Sequence, residues 1–148
     1  MNARLPAGAQ GDAASPTVAF DLDGRPVEAL PGESILEAAR RHGVEIPHLC
    51  HKPGLRPDGN CRACVVEIDG ERTLAASCCR APVSGMKVSA SGERARRSQK
   101  TVLELLLAEA PAGGHAEDSE LRRWAGALGV HAPRFAAREQ PAPDLTHP

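Results

Sequence analysis

Five cysteines gathered in one stretch constrain this chain more than any other feature of its sequence. Four of them are separated by ten, two and thirteen residues, and a fifth follows directly: Cys50, Cys61, Cys64, Cys78 and Cys79. The residues between the first two include prolines, glycines, an aspartate and an asparagine, which is typical of a loop. Three of the five thiols therefore belong to one loop.

A β-hairpin is predicted directly after Cys64. A strand over residues 65–68 places Val66 and Ile68 on one face and Val65 and Glu67 on the other. Asp69-Gly70 is a turn signal, and residues 72–74 lead back as a strand to Cys78. The hairpin returns the fourth cysteine to the loop that carries the first three. Four sulfurs are thus expected to surround something small.

Thiolates suit zinc, copper(I) and iron–sulfur clusters. A structural zinc site usually has two close cysteine pairs, whereas only Cys61 and Cys64 form such a pair here. A [2Fe–2S] cluster takes a group of cysteines in one long loop and a distant fourth. Backbone N–H groups of a glycine-rich loop stabilise such a cluster, with Gly54 and Gly59 as candidates for close approach and Asn60 as a brace. Zinc, disulfides and free thiols stay open as alternatives.

Two further interpretations of these residues are weaker. His48 and His51 flank Cys50 and suggest a Rieske-type centre, but four cysteines already complete a ligand set. The Cys61-x-x-Cys64 pair suggests a thioredoxin-like dithiol, which would need a helix rather than a strand after it. If Cys79 continues a strand, its side chain points away from that of the preceding cysteine, and it is predicted not to be a ligand.

The run IPHLCHKPGLRPDGNCRACVVEIDG, followed by ASC and PVSGMKV, resembles the N-terminal [2Fe–2S] domain of the large subunit of NAD-dependent, molybdenum-containing formate dehydrogenases. It is similar more broadly to the 75 kDa-type subunit of respiratory complex I and to the diaphorase-side subunit of NAD-linked hydrogenases. The resemblance covers about residues 17–110. It implies that the cluster ligands are Cys50, Cys61, Cys64 and Cys78, and that Cys79 is not needed.

The remaining periodicity predicts a small α+β domain. A hairpin is expected around Asp23-Gly24, a helix from Ser34 to Gly43, a strand over 86–90 and a helix over 93–110. The resemblance implies that these elements form a β-grasp, 2Fe-2S ferredoxin-like fold with a short C-terminal helical extension. The expected divisions are a disordered leader (1–16), the ferredoxin-type domain (17–110), a helical extension (111–131) and a proline-rich tail or linker (132–148).

Both later helices are predicted to be amphipathic. The helix over 93–110 should bury Val102, Leu103, Leu106 and Leu107 and expose Arg94, Arg96, Arg97 and Lys100. A short helix over 118–129 places Leu121, Trp124, Ala125 and Leu128 on one side, suited to packing on the domain or on a partner.

Composition limits the remaining classes of protein. Because the net charge is −1, the chain is not expected to attract nucleic acid. It has only three Phe and Trp residues, so its hydrophobic core is small and is expected to need additional stabilisation, such as a bound metal. Neither a signal peptide nor a membrane span is predicted, and the expected location is cytoplasmic. The sequence has no nucleotide-binding glycine loop, so no catalytic site is predicted in this chain.

The function expected from the cysteines and the resemblance is one-electron transfer. The resemblance implies a relay between a molybdopterin-containing, formate-oxidising region and a flavin/NAD-binding diaphorase subunit. In the relatives a histidine and three cysteines for a [4Fe–4S] cluster come next; His115 lies near that place, but no cysteine follows it. The chain is therefore expected to be a module, fragment or split subunit of such a complex, and a non-redox zinc module or adaptor is the rival.

Overall fold

The computed structural model describes residues 16–110 and 118–136. Residues 1–15 of the predicted leader, His115 and residues 137–148 of the predicted tail lie outside the described residues.

The first two strands form the predicted hairpin. β1 (Val18–Leu22) pairs antiparallel with β2 (Arg25–Ala29). Asp23 and Gly24 between them have φ of 53° and 78°. Positive φ at both central residues is the geometry of a tight hairpin turn, and Asp-Gly is a dipeptide that favours it.

The sheet is completed by three strands that come later in the chain. β3 (Val65–Ile68), β4 (Ala75–Ala76) and β5 (Lys87–Ser89) give the order β2-β1-β5-β3-β4. β1 and β5 run parallel, whereas the other neighbours are antiparallel, so the sheet is mixed. Together with its helices this makes a small α+β domain.

The return strand of the second hairpin is shorter than predicted, because residues 72–74 are not in a strand. Their backbone groups and those before them have other partners. The Glu71 N–H donates to the Ile68 carbonyl at 3.0 Å, and the Arg72 carbonyl accepts from the Arg94 guanidinium. Only Ala75 and Ala76 continue the ladder opposite β3.

Helix α1 (Ile35–Arg41) begins and ends as predicted. The Ser34 hydroxyl accepts from the Glu37 N–H, and the Glu37 carboxylate accepts from the Ser34 N–H at 2.8 Å, which is a capping box. After the helix Gly43 has φ of 75°. The predicted stripe Ile35, Leu36, Ala38 and Ala39 is buried.

The main hydrophobic core lies between the sheet and α1. Its buried members include Phe20 and Leu22 of β1, Val66 of β3, and two of the cysteines, Cys64 and Cys78. The buried end of the cysteine-bearing hairpin is therefore part of the core itself.

Two further helices build a second core. α2 (Glu93–Glu109) and α3 (Glu120–Ala127) contribute Leu103, Trp124 and Ala125 to it. The cysteine loop contributes Ala63, with Leu49 and Cys61 packed against the cluster. The predicted amphipathic helix thus packs on the domain and lies against the cysteine loop.

The burial of α2 agrees in part with the prediction. Leu103 is fully buried, while Val102, Leu106 and Leu107 are half-buried, and the four basic residues are exposed as expected. The prediction missed two buried polar residues. Gln99 Nε2 donates to the Val65 carbonyl at 2.9 Å, and Glu104 pairs with Arg134 at 2.6 Å. Their hydrogen bonds allow them to lie on the packed face.

None of the helices in the two described ranges has the length and apolarity needed to cross a bilayer.

Candidate metal centre

All five cysteines are free thiols that lie around one loop and one hairpin end. Cys64 and Cys78 are buried, Cys50 and Cys61 are half-buried, and Cys79 is exposed. The structure therefore contains no disulfide among them, and the burial of the sulfurs is graded from the hairpin to the loop.

The sulfur of Cys50 lies among hydrogen-bond donors of the loop. Burial raises its pKa, but the backbone N–H groups of Cys61, Asn60 and Gly59 and the Cys61 thiol donate to the sulfur and hold the pKa of Cys50 below its ordinary value. These donors stabilise a thiolate, which is the form that binds metals. The expected close approach of Gly59 to a sulfur is present.

The other two predicted loop residues have different surroundings. The side-chain amide of Asn60 donates to the Asp58 carboxylate, so Asn60 braces the loop. Gly54 has φ of 79° and nothing within 4 Å of the position where a Cβ would be. Gly54 thus provides a turn and not a close approach.

The sulfur of Cys61 also accepts hydrogen bonds from backbone N–H groups of the loop. Burial raises the pKa of Cys61, against N–H groups of Ala63, Cys50 and Leu49 that donate to its sulfur. Arg62 between Cys61 and Ala63 has φ of 56°. That left-handed conformation costs a non-glycine residue about 1 kcal/mol, and strain of this kind concentrates at functional loops.

Cys64 and Cys78 form the buried side of the site. Burial raises the pKa of Cys78, and the neighbouring sulfurs of Cys64 and Cys79 raise it further. Ser77 fixes the two chain segments, because its backbone N–H and its hydroxyl both donate to the Cys64 carbonyl, at 3.1 and 2.7 Å.

The four predicted ligands lie as two neighbouring pairs, Cys50 with Cys61 and Cys64 with Cys78, and within each pair one thiol affects the pKa of the other. In residues 16–110 and 118–136, no group of three or more His, Cys, Asp or Glu side chains is placed to hold one metal ion. A [2Fe–2S] cluster uses four cysteine thiolates for two irons. Two thiol pairs with backbone donors beside them fit that donor set.

Cys79 lies where the prediction did not place it. Residues 77–79 form a turn and not a strand, so the alternation of side chains does not apply. The Cys79 sulfur is 3.6 Å from the Cys78 sulfur. A Cβ added to Gly59 would lie 2.8 Å from the same Cys79 sulfur. The prediction that Cys79 points away from Cys78 is wrong.

The two histidines beside Cys50 border the site on the side of α3. The Nδ1–H of His48 donates to the Ile46 carbonyl at 2.8 Å, and its ring lies 5.6 Å from that of Trp124. His51 is 5% exposed, and its Nδ1 has no partner in the structure.

Helix α3 is a part of the site that was missed. It covers the cysteine loop through Trp124 and through the ion pair of Lys52 Nζ with Glu120 Oε2 at 2.6 Å. The signal in the sequence was the single tryptophan in an apolar stripe. The stripe predicted a buried face but did not identify what it packs on.

The chain matches known proteins over the segment that carries this site. The family model for the 2Fe-2S iron-sulfur cluster binding domain matches residues 15–93, more than half of the chain.

Curated relatives are much longer than this chain. A subunit of the NADH-quinone oxidoreductase of Streptomyces coelicolor is 38% identical over 96 residues, which are 64% of this chain and 11% of the relative. The mitochondrial NADH-ubiquinone oxidoreductase 78 kDa subunit of Candida albicans is also 38% identical, over 94 residues that make up 64% of this chain and 13% of the relative. A putative formate dehydrogenase of Bacillus subtilis is 32% identical over 91 residues, 62% of this chain and 9% of the relative. The chain thus spans about a tenth of the length of these relatives.

A solved structure extends the likeness to the fold. A chain in the crystal structure of an NAD+-reducing [NiFe]-hydrogenase superposes with a TM-score of 0.77 at 35% identity, over 88% of this chain and 57% of that chain. The cysteine pairs, the α+β fold and these matches agree. The chain belongs to the family of 2Fe-2S iron-sulfur cluster binding domains, and its cofactor is a [2Fe–2S] cluster.

Proposed function

We propose that this chain transfers single electrons through a [2Fe–2S] cluster held by Cys50, Cys61, Cys64 and Cys78. The observation that carries the proposal is the arrangement of these four free thiols as two neighbouring pairs, with three backbone N–H groups directed at the Cys50 sulfur. When bound, a [2Fe–2S] cluster accepts and releases one electron at a time.

The residues of the chain have three tasks in this function. The four thiolates would ligate the irons, and the N–H groups of residues 59–61 offset the negative charge that collects on the sulfurs. The second core, with Trp124 and Leu103, limits the access of water from the side of α2 and α3. The exposed residues 53–58 of the cysteine loop offer a surface to a redox partner.

We further assign the chain to an NAD-linked oxidoreductase assembly of the formate dehydrogenase type, as a module, fragment or split subunit. Its partners would be a molybdopterin-containing, formate-oxidising region and a flavin/NAD-binding diaphorase subunit, in the cytoplasm. Support comes from the resemblance in residues 46–88 and from the putative formate dehydrogenase of Bacillus subtilis among the relatives. Catalysis of formate oxidation is not assigned to this chain.

The proposed architecture is a β-grasp ferredoxin domain over residues 17–110, followed by a helical extension over 111–131 and a tail over 132–148. Support comes from the mixed five-stranded sheet with α1 packed on it, and from α3, which lies within the proposed extension.

The test is anaerobic purification of the chain and of its cysteine-to-serine variants. We expect red-brown protein with about two irons and two sulfides per chain and an EPR signal after reduction. Replacement of Cys50, Cys61, Cys64 or Cys78 by serine should abolish or change the visible absorption and the EPR signal. Colourless protein with stoichiometric zinc, or unchanged spectra in all four variants, would contradict the proposal.

A second measurement tests the assignment of catalysis elsewhere in the assembly. The purified chain, supplied with formate and NAD, should give no turnover. Turnover by the isolated chain would show that it contains the catalytic machinery, against the proposal.

A further inference from the structure

Cys79 lies at the site but is not one of the four proposed ligands. Its sulfur lies 3.6 Å from the Cys78 sulfur, within the distance of a sulfur hydrogen bond. An S–H group at this place has a sulfur acceptor directly in front of it.

The position of Cys79 is maintained by the loop on its other side. A Cβ at Gly59 would lie 2.8 Å from the Cys79 sulfur, so the missing side chain of Gly59 provides the space that this sulfur occupies. The N–H of the same Gly59 is directed at the Cys50 sulfur. Cys79 thus packs between one proposed ligand, Cys78, and the loop segment that supports another.

The direction of the hydrogen bond follows from the chemistry of ligation. A cysteine that binds iron does so as a thiolate and has no proton to donate. In the contact between the two sulfurs, Cys78 can then only accept and Cys79 can only donate. We propose that the Cys79 thiol donates an S–H···S hydrogen bond to the ligand sulfur of Cys78 and thereby raises the reduction potential of the cluster.

The sign of the effect distinguishes this role from a packing role. Reduction adds negative charge to the cluster and its sulfurs, so a donor to a ligand sulfur favours the reduced state and raises the potential. Loss of the donor should lower the potential. Loss of side-chain volume at this exposed position would admit water, which also favours the more highly charged reduced state and would raise the potential. The two explanations predict opposite shifts.

The experiment is redox titration of the cluster-loaded full chain, followed by EPR, for the native chain, Cys79→Ala and Cys79→Ser. We expect all three proteins to keep the [2Fe–2S] absorption and full iron content. Cys79→Ala should have a lower midpoint potential than the native chain. Cys79→Ser, whose hydroxyl still donates to a sulfur, should recover most of the difference.

This inference rests on the proposed ligand set, and the outcomes separate the two. An unchanged or raised potential in Cys79→Ala overturns the hydrogen-bond role while the cluster and its four ligands stand. A lowered potential that serine does not recover also overturns it. Loss of the cluster in Cys79→Ala would instead make Cys79 a ligand, which overturns both this role and the ligand set.

Discussion

At the scale of single residues, the site depends on glycines, whose missing side chains leave room in the cysteine loop. Gly59 combines a φ of 70° with a sulfur 2.8 Å from the position of a Cβ, whereas Gly54 has a φ of 79° and open space. Both positions disfavour other residues through conformation, but only Gly59 also disfavours them through contact. Comparing the same substitution at Gly59 and at Gly54 therefore separates the cost of backbone strain from the cost of steric overlap.

Gly59→Ala is expected to destabilise the cluster more than Gly54→Ala does. The left-handed conformation costs both variants about 1 kcal/mol. Overlap with the Cys79 sulfur adds about 1 kcal/mol at Gly59 only, because this exposed thiol can turn aside in part. The midpoint temperature for loss of visible absorption, at one heating rate, should fall by about 2–4 °C more in Gly59→Ala than in Gly54→Ala.

The double variant Gly59→Ala/Cys79→Ala provides the control, because it removes the sulfur that the new methyl group meets. Its midpoint should lie close to that of Gly54→Ala. Equal midpoints for Gly59→Ala and Gly54→Ala would show that the contact with Cys79 has no energetic weight.

That the cysteines gather around one loop and one hairpin end was predictable, because three of them lie in the loop and a hairpin returns the fourth. The surroundings of Cys79 were not. Its prediction assumed that the strand continues to Cys78, but β4 ends at Ala76 and the chain turns. Where a strand ends depends on long-range partners such as Leu36 of α1, whose N–H donates to the Ser77 carbonyl directly after β4.

At the scale of elements, α2 links the sheet to the cysteine loop. Leu103 is fully buried in the second core with Ala63 and Trp124, and Gln99 on the same helix binds the Val65 carbonyl of β3. One helix therefore contacts both the loop segment before Cys64 and the strand after it.

Leu103→Ala should remove the contact that holds these elements together. Truncation of a fully buried leucine typically costs about 2–5 kcal/mol. The 45% exposed Leu105 on the same helix is the matched control, and Leu105→Ala should cost less than about 0.5 kcal/mol. Denaturation followed by the emission of the single Trp124 measures both. Equal costs for the two variants would contradict the structural role of the second core.

The local elements were predicted within a few residues because their signals are local. Asp23-Gly24 specifies a hairpin turn, and Ser34 with Glu37 specifies the start of α1. The parallel pairing of β1 with β5 has no local signal, since Asp21 and Lys87 are distant in the chain. The burial of Gln99 depends on two carbonyls, of Val65 and Ala90, that only the folded chain brings near.

At the scale of the whole molecule, the two cores differ in their dependence on the cluster. The main core contains Cys64 and Cys78, but the β1–β2 hairpin within it is paired without the cysteine loop. The second core includes Leu49 and Cys61, which belong to that loop. Loss of the cluster should therefore loosen one part of the molecule more than the other.

Hydrogen exchange on the cluster-loaded and cluster-free chains measures this difference. The amides of Gly59, Asn60 and Cys61, which donate to the Cys50 sulfur, should lose protection when the metal is removed. The amides of the β1–β2 hairpin should change much less. Equal loss of protection in the hairpin and the loop would mean that the cluster stabilises the whole fold as one unit.

The graded burial of the sulfurs has a consequence for where an electron can enter and leave. Cys64 and Cys78 lie in the dry core, whereas Cys50 and Cys61 are half-exposed and the Cys50 sulfur accepts several N–H groups. A cluster held by these four thiols would have a dry side towards the core and a polar side towards the loop. The polar side would be the place where a second redox centre can approach.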